Sequence, residues 1–269
     1  MSYFLKRNEQ NLWLGKFSNI PEDLFFHAIS TRLGGVSNAP FDGLNLALHV
    51  GDNPEDVLTN RKKFIQSLGY GLEDIVTPEQ VHGENIFCVE EIHRGRGSKN
   101  YSDSIPATDA LITNSPDLSL MLCFADCVPV LFADVENVAV GIAHAGWKGT
   151  QKKIAAKTFQ AMAETFGTQA ENCFAAIAPS IGKCCYEVGE EVRAQFDKKF
   201  VEEREGKFYL NLQAANQAQL LEVGLPEENI DIAGECTCCK SSWYYSYRAA
   251  QGQTGRIAAV IGLRGDLNG

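Results

Sequence analysis

Several things are missing from this sequence, and each absence excludes something. No run of about 18 or more apolar residues occurs, so no transmembrane helix is expected. The opening stretch, MSYFLKRNEQNLWLGKF, carries charged and polar residues where an export signal needs a continuous apolar segment. The expectation is a cytoplasmic protein without a membrane partner. Positive charge is scarce: 24 Lys and Arg stand against 34 Asp and Glu, a formal net charge of −10. The longest basic cluster, His93-Arg94-Gly95-Arg96 with Lys99 nearby, is too short for a phosphate-binding stripe, so nucleic acid is not an expected partner. Repeats, low-complexity tracts and an obvious linker are also missing, and a single domain over residues 1–269 is expected. Histidine is rarer still, with only His27, His49, His82, His93 and His144 to serve any imidazole chemistry.

Cysteine, by contrast, is plentiful at nine, an odd number. Cys184 and Cys185 are adjacent, and adjacent cysteines seldom bridge each other because the geometry is strained. Without an export signal, free thiols or metal ligands are a better reading than a disulfide framework. Cys236, Cys238 and Cys239 look like half of a metal site. Lacking a second cluster at a matching spacing, they are read as structural thiols.

Strand-like and helix-like patterns mix along the chain. Residues 25–30 read as a strand entering the loop Leu33-Gly34-Gly35-Val36-Ser37. Residues 54–68 read as a helix stopped by Gly69, and 152–166 as a helix with Ile154, Ala155, Phe159, Met162 and Phe166 on one face. Residues 187–196 and 212–223 are further helix candidates. Residues 110–113, 120–124, 128–132, 138–143 and 256–263 read as short buried strands. Strands outnumber helices without alternating strictly with them. This predicts an α+β fold, mixed β-sheets sandwiched with helices, over a doubly wound sheet.

The strand at 138–143 poses a question, because it runs straight into His144-Ala145-Gly146-Trp147-Lys148. His82, in Gln80-Val81-His82-Gly83, and His49, in Leu48-His49-Val50-Gly51, keep similar company, and Cys127 follows Asp126 between two strands. Small neighbours let a ligand approach closely. Taken singly, each His or Cys is more often a packed residue. Taken together, the two imidazoles of His82 and His144 and the thiolate of Cys127 suit zinc, with a fourth position left open. Their spacing says only that the ligands come from different strands.

Arg61 falls in the middle of an apolar stripe formed by Val57, Leu58, Phe64, Ile65 and Leu68. An inward-facing guanidinium needs a partner, either an internal salt bridge or a bound phosphate or carboxylate. In Tyr244-Tyr245-Ser246-Tyr247-Arg248 the alternation suits a strand with Tyr245 and Tyr247 on one face and Arg248 on the other. Such rings can stack a purine or phenol, although core packing is their commoner use.

The segments TRLGGVS (31–37), GLNLALHVGD (43–52), QVHG (80–83), ATDALIT (107–113), ADCVPVLFAD (125–134), AHAGWKG (143–149), APSIGKCCYEVG (178–189) and YSYR (245–248) occur in that order. Together they resemble the YfiH/YlmD family, also called the laccase-domain or polyphenol oxidase family. The resemblance implies one α+β domain. It further implies a zinc-dependent purine nucleoside phosphorylase that also deaminates adenosine and cleaves methylthioadenosine. The metal ligands it implies are His82, Cys127 and His144, the trio reached above. Asn45 is implied as a nucleoside contact, and Arg61 and Arg248 complete the expected contacts to purine nucleoside and phosphate. Lys148, Asn211 and the Cys238-Cys239 pair depart from the pattern, none of them at the ligands.

Other chemistries stay open. The family is also described as copper-dependent, and one Cys with two His resembles a single blue-copper ligand set, although five histidines are too few for the full copper complement of a laccase. Cys127 could serve instead as a nucleophile with His144 or His82 as base, in a hydrolase suited to the peptidoglycan editing that the resemblance also implies. A purely structural metal usually takes four ligands rather than three. His82-Gly83-Glu84 matches half of a zinc-deaminase signature, and Asp126 is an acid–base candidate by position.

Overall fold

The central strands are apolar at almost every position because both of their faces are covered. The computed structural model describes residues 3–265. In chain order it forms β1 (Tyr3–Arg7), β2 (Trp13–Phe17), β3 (Phe25–Ser30), α1 (Pro54–Gln66), β4 (Ile75–Val76) and β5 (Ile86–Cys88). There follow β6 (Ala110–Thr113), β7 (Ser119–Phe124), β8 (Val128–Asp134), β9 (Ala139–Ala145), α2 (Trp147–Gln151), α3 (Ile154–Phe166) and β10 (Cys173–Ile177). The remainder comprises β11 (Glu187–Val188), α4 (Glu190–Arg193), β12 (Val201–Arg204), β13 (Lys207–Leu210), α5 (Leu212–Glu222), β14 (Ile230–Ile232) and β15 (Ile257–Leu263). One sheet runs β1-β2-β3-β15-β7-β4, a second β14-β10-β8-β9-β6-β5, and a small third β11-β13-β12. Both large sheets are mixed, with β4–β7, β5–β6 and β10–β14 parallel. Among the described residues no helix is long and apolar enough to cross a membrane.

Period-two alternation divides the side chains between faces. Leu120, Leu122 and Phe124 of β7 and Ile257, Ala259 and Ile261 of β15 meet Leu131 of β8 and Val140 and Ile142 of β9 between the two sheets. The other face of the first sheet, with Phe26, Met121 and Val260, takes Phe64 and Ile65 of α1. The other face of the second, with Val130, Phe132 and Ala143, takes Ile154, Phe159 and Met162 of α3 and Leu212 and Leu220 of α5. Each Val, Leu, Ile, Phe or Met among them contributes roughly 1.5–3 kcal/mol by its burial. The layers therefore run helix, sheet, sheet, helix, an α+β sandwich as expected. At Gly141 an added Cβ would lie 2.8 Å from Met162 Sδ, so α3 rests directly on the β9 backbone.

Three expected elements differ. Over 187–196 only α4 is helical, because Glu187 and Val188 pair with Tyr209 and Phe208 of β13 before Gly189 begins the turn into it. The helix expected from 152 begins at Ile154, after Lys153 takes a left-handed φ of 62°. Residues 244–248 are not a strand. Tyr245 is buried while Tyr247 is exposed, so the two do not share a face, and the hydroxyls of the buried Tyr244 and Tyr245 donate to the Glu235 carboxylate at 2.7 Å and the Phe41 carbonyl at 2.7 Å.

His27 on β3 is buried, and its Nε2 accepts the Phe17 N–H at 2.8 Å, which requires a neutral ring. Burial, reinforced by Lys16 and Arg264, pushes its pKa from 6.5 down to about 3. Between those values the unfolded chain binds a proton that the folded chain refuses, so stability falls as pH falls. Moving from pH 7 to pH 5 is expected to cost about 2 kcal/mol through this residue. Urea midpoints at the two pH values check this: the pH-dependent loss should shrink by that amount in His27→Gln, and an unchanged loss would reject the assignment.

Candidate active site

The alternation that sends Val140 and Ile142 of β9 between the sheets sends His144 the same way. Cys127 lies one residue before β8, and Pro129, two further on, is the register partner of His144. Cys127 and His144 thus share the inter-sheet face at one mouth of the sandwich. His82 arrives from the loop between β4 and β5, held at a left-handed φ of 59°. The ligand atoms of His82, Cys127 and His144 all lie within 4.8 Å of one another. Gly146 follows the strand because any side chain would collide there: a Cβ would sit 2.9 Å from Cys127 Sγ and 3.3 Å from His82 Cδ2. The strand ends on an imidazole among small residues because three donors converge at that point.

Asp109, fully buried before β6, fixes the arrangement. Its Oδ1 takes the His144 Nδ1 hydrogen at 2.8 Å and the His82 N–H at 3.0 Å, while its Oδ2 accepts Gly83 N–H at 2.6 Å and Val81 N–H at 3.2 Å. One carboxylate therefore sets both the His144 tautomer, leaving Nε2 for the centre, and the loop carrying His82. Burial raises the pKa of the Cys127 thiol, but His144 and His82 outweigh it and bring it down to about 6. Burial lowers that of His144, but Cys127 and Asp109 outweigh it and lift it to about 9. Near neutrality the pair is then a thiolate beside an imidazolium, and a metal at the centre would displace the Nε2 proton of His144. Two nitrogen donors and a thiolate with a fixed tautomer fit zinc, and also fit a single copper.

A cavity of about 530 Å³ opens over the trio. Its walls include Trp147, Tyr186 and Tyr247, the guanidinium groups of Arg248 and Arg256, and His49. Arg248 donates to the carbonyls of Cys185 at 3.2 Å and Glu187 at 2.9 Å, and lies over the Tyr186 ring. Arg256 donates to the carbonyls of Thr254 at 2.7 Å and Gly255 at 3.0 Å, and lies over the Tyr247 ring.

The other expected contacts fall behind this wall. Asn45 is fully buried, its amide donating to Asp52 at 2.8 Å and its Oδ1 accepting the Arg256 N–H at 2.9 Å. It therefore meets the cavity only through Arg256. Arg61 is buried too, but neither a carboxylate nor the cavity receives it. Its guanidinium donates to the carbonyls of Leu46 at 2.7 Å, Gly97 at 2.7 Å and Ser98 at 2.8 Å. Cys123, which lines the cavity, bonds the same Leu46 carbonyl, so Arg61 sits behind the wall. Asp126 lines the cavity, yet its two oxygens accept the Thr237 hydroxyl at 2.6 Å and the Arg248 N–H at 2.7 Å. Glu84 pairs with Lys152 and Lys157 and lines no part of the cavity, so the half-signature His82-Gly83-Glu84 does not form a deaminase acid–base group. Asn211 caps α5 by accepting the Ala214 N–H at 3.1 Å, as an aspartate would. Asp109 and Arg256 were not among the site residues expected from the sequence. The signal for both was a charge immediately before a fully buried strand.

An α+β sandwich with a His–Cys–His donor set at one mouth is a narrow class. Over residues 26–264 the chain matches the family described as multi-copper polyphenol oxidoreductase laccase, and it belongs to that family. It is 37% identical over 244 residues to the purine nucleoside phosphorylase YlmD of Geobacillus stearothermophilus, covering 88% of this chain and 89% of that protein. It is 32% identical over 243 residues to adenosine deaminase RL5 of an unknown prokaryotic organism, covering 87% and 92%. The crystal structure of hypothetical protein YfiH from Bacillus licheniformis superposes with a TM-score of 0.91 at 36% identity, covering 97% of this chain and 99% of that one. These relatives support an enzyme role.

Proposed function

We propose that this chain is a zinc-dependent purine nucleoside phosphorylase that also deaminates adenosine. Its substrates would be adenosine, inosine or methylthioadenosine with phosphate, yielding the base and the sugar 1-phosphate. The observation that carries this reading is the convergence of His82, Cys127 and His144 beneath a cavity of about 530 Å³ walled by two arginines and three aromatic rings. Its volume suits a small-molecule ligand. Held by the trio, zinc would supply a Lewis acid at the cavity floor. Everything else falls to the chain itself. Tyr186, Tyr247 and Trp147 offer faces for a flat base, and Arg248 and Arg256 hold the phosphate anion. In phosphorolysis a phosphate oxygen bonds to the anomeric carbon while the glycosidic bond breaks and the base departs with its electron pair. The arginines orient that phosphate, and the aromatic walls exclude competing water. In deamination water replaces the amino group of adenosine and ammonia leaves.

Metal content of protein purified without added metal, paired with inosine phosphorolysis before and after chelation, tests this reading. Zinc with chelator-sensitive hypoxanthine release supports it. Copper with phenol oxidation and no hypoxanthine replaces it with the oxidase. Activity in metal-free protein replaces it with Cys127 acting as a nucleophile.

Arg256→Ala is expected to remove a charge-assisted contact worth about 1.5–3 kcal/mol. The KM for phosphate should rise roughly 10- to 100-fold, and that for inosine much less. Steady-state kinetics with phosphate varied at fixed inosine read this, and equal rises would move Arg256 out of the phosphate role.

A further inference from the structure

The cysteines outside the active site form a second cluster. Cys184 and Cys185 lie in the loop between β10 and β11, and Cys236 and Cys239 in the turn after β14. The half-site recognised at 236–239 has its missing half in the adjacent pair. All four Sγ atoms lie within 4.8 Å of one another, with Cys184 to Cys239 at 3.5 Å and Cys185 to Cys239 at 3.4 Å. A zinc–sulfur bond of about 2.3 Å sets a tetrahedral edge of about 3.8 Å, close to these separations.

The backbone around the cluster is arranged for thiolate sulfur. Cys236 Sγ accepts the N–H of Gly182 at 3.2 Å and that of Cys239 at 3.5 Å. The loops also join through a bridge between Ser180 and Cys236. Gly182 is needed for their close approach, since a Cβ there would lie 3.2 Å from both Cys184 Sγ and Cys236 Cβ.

We infer that Cys184, Cys185, Cys236 and Cys239 bind a second zinc ion as a closed tetrathiolate that fastens one wall of the cavity. Each thiol gives up its proton on ligation. Four sulfurs leave no open position, so this centre is structural where the His–Cys–His trio is open. What it fastens is explicit. Ile181 and Tyr186 of the first loop line the cavity, and the Cys185 carbonyl receives Arg248. Thr237, inside the second loop, bonds Asp126. Both loops are irregular where the four cysteines lie, and a metal crosslink would hold them to each other there. The inference does not depend on the reaction catalysed, because its readout is metal.

Protein purified without added metal, under reducing conditions, should carry about two zinc ions per chain. Cys184→Ser/Cys239→Ser should lower this to about one, and Cys127→Ser/His144→Ala should independently remove the other. Should a cysteine variant fail to fold, cobalt substitution of the natural chain decides, since thiolate-to-cobalt absorption grows with the number of sulfurs bound. Two cobalt ions, one with tetrathiolate spectra, support the inference. One metal per chain that the Cys184→Ser/Cys239→Ser change leaves in place overturns it, as does cobalt bound only with the mixed nitrogen–sulfur spectrum. A disulfide joining Cys239 to Cys184 or Cys185 in the reduced, metal-replete protein would overturn it as well.

Discussion

Cys127→Ser is expected to lower kcat for inosine phosphorolysis by a factor on the order of a thousand, the equivalent of several kcal/mol of lost Lewis-acid stabilisation. The loss should coincide with loss of one metal ion per chain, because serine is a poor replacement for a thiolate already poised at a pKa of about 6. The paired measurement matters. A metal-free nucleophilic cysteine would give the same fall in kcat with nothing to lose in the metal assay. Activity retained in Cys127→Ser would rule out both mechanisms at once.

Asp109→Asn should have the next largest effect, although Asp109 need never touch substrate. It accepts from the Val81, His82 and Gly83 N–H groups and orients His144. An amide keeps the shape but has one acceptor oxygen, and its NH2 would face N–H groups on the other side. Loss of an outer partner of this kind typically costs roughly 10- to 100-fold in metal affinity or activity. The fall in activity should be partly restored by excess zinc, which separates weakened binding from a damaged reaction step. A variant with unchanged zinc affinity would return Asp109 to a purely architectural part.

The convergence of the candidate trio was legible in the sequence where residue types were rare and constrained. With five histidines in the chain, three beside small residues near the ends of apolar segments stood out, His49, His82 and His144, and Cys127 stood between two strands. Helical periodicity likewise showed that Arg61 points inward. It could not show what meets the guanidinium there, because the carbonyls of Gly97 and Ser98 come from an irregular loop with no period to read. Asn45 was similar: the motif marked it, but only the fold shows its amide spent on Asp52 and Arg256. The α+β sandwich was legible because strands outnumber helices without alternating strictly with them. The edge strands β1 and β12 were not read, nor were their neighbours β2 and β13, since short strands carrying polar and partly exposed residues imitate loops. The cysteine cluster escaped for another reason. Its halves belong to separate loops, and proximity across such a distance is a property of topology rather than of spacing.

The donors of the trio do not belong to one sheet. Cys127 and His144 come with the β8–β9 hairpin, whose register alone brings them close. His82 lies on the segment that leaves the first sheet at β4 and enters the second at β5. The hairpin is local and can form in microseconds, whereas the crossing segment must wait for contacts distant along the chain. During refolding, a site completed across the two sheets is therefore expected to hold metal and to turn over only once both sheets are in place. The return of activity would mark the moment the two sheets lock together, and zinc offered early would favour that closure.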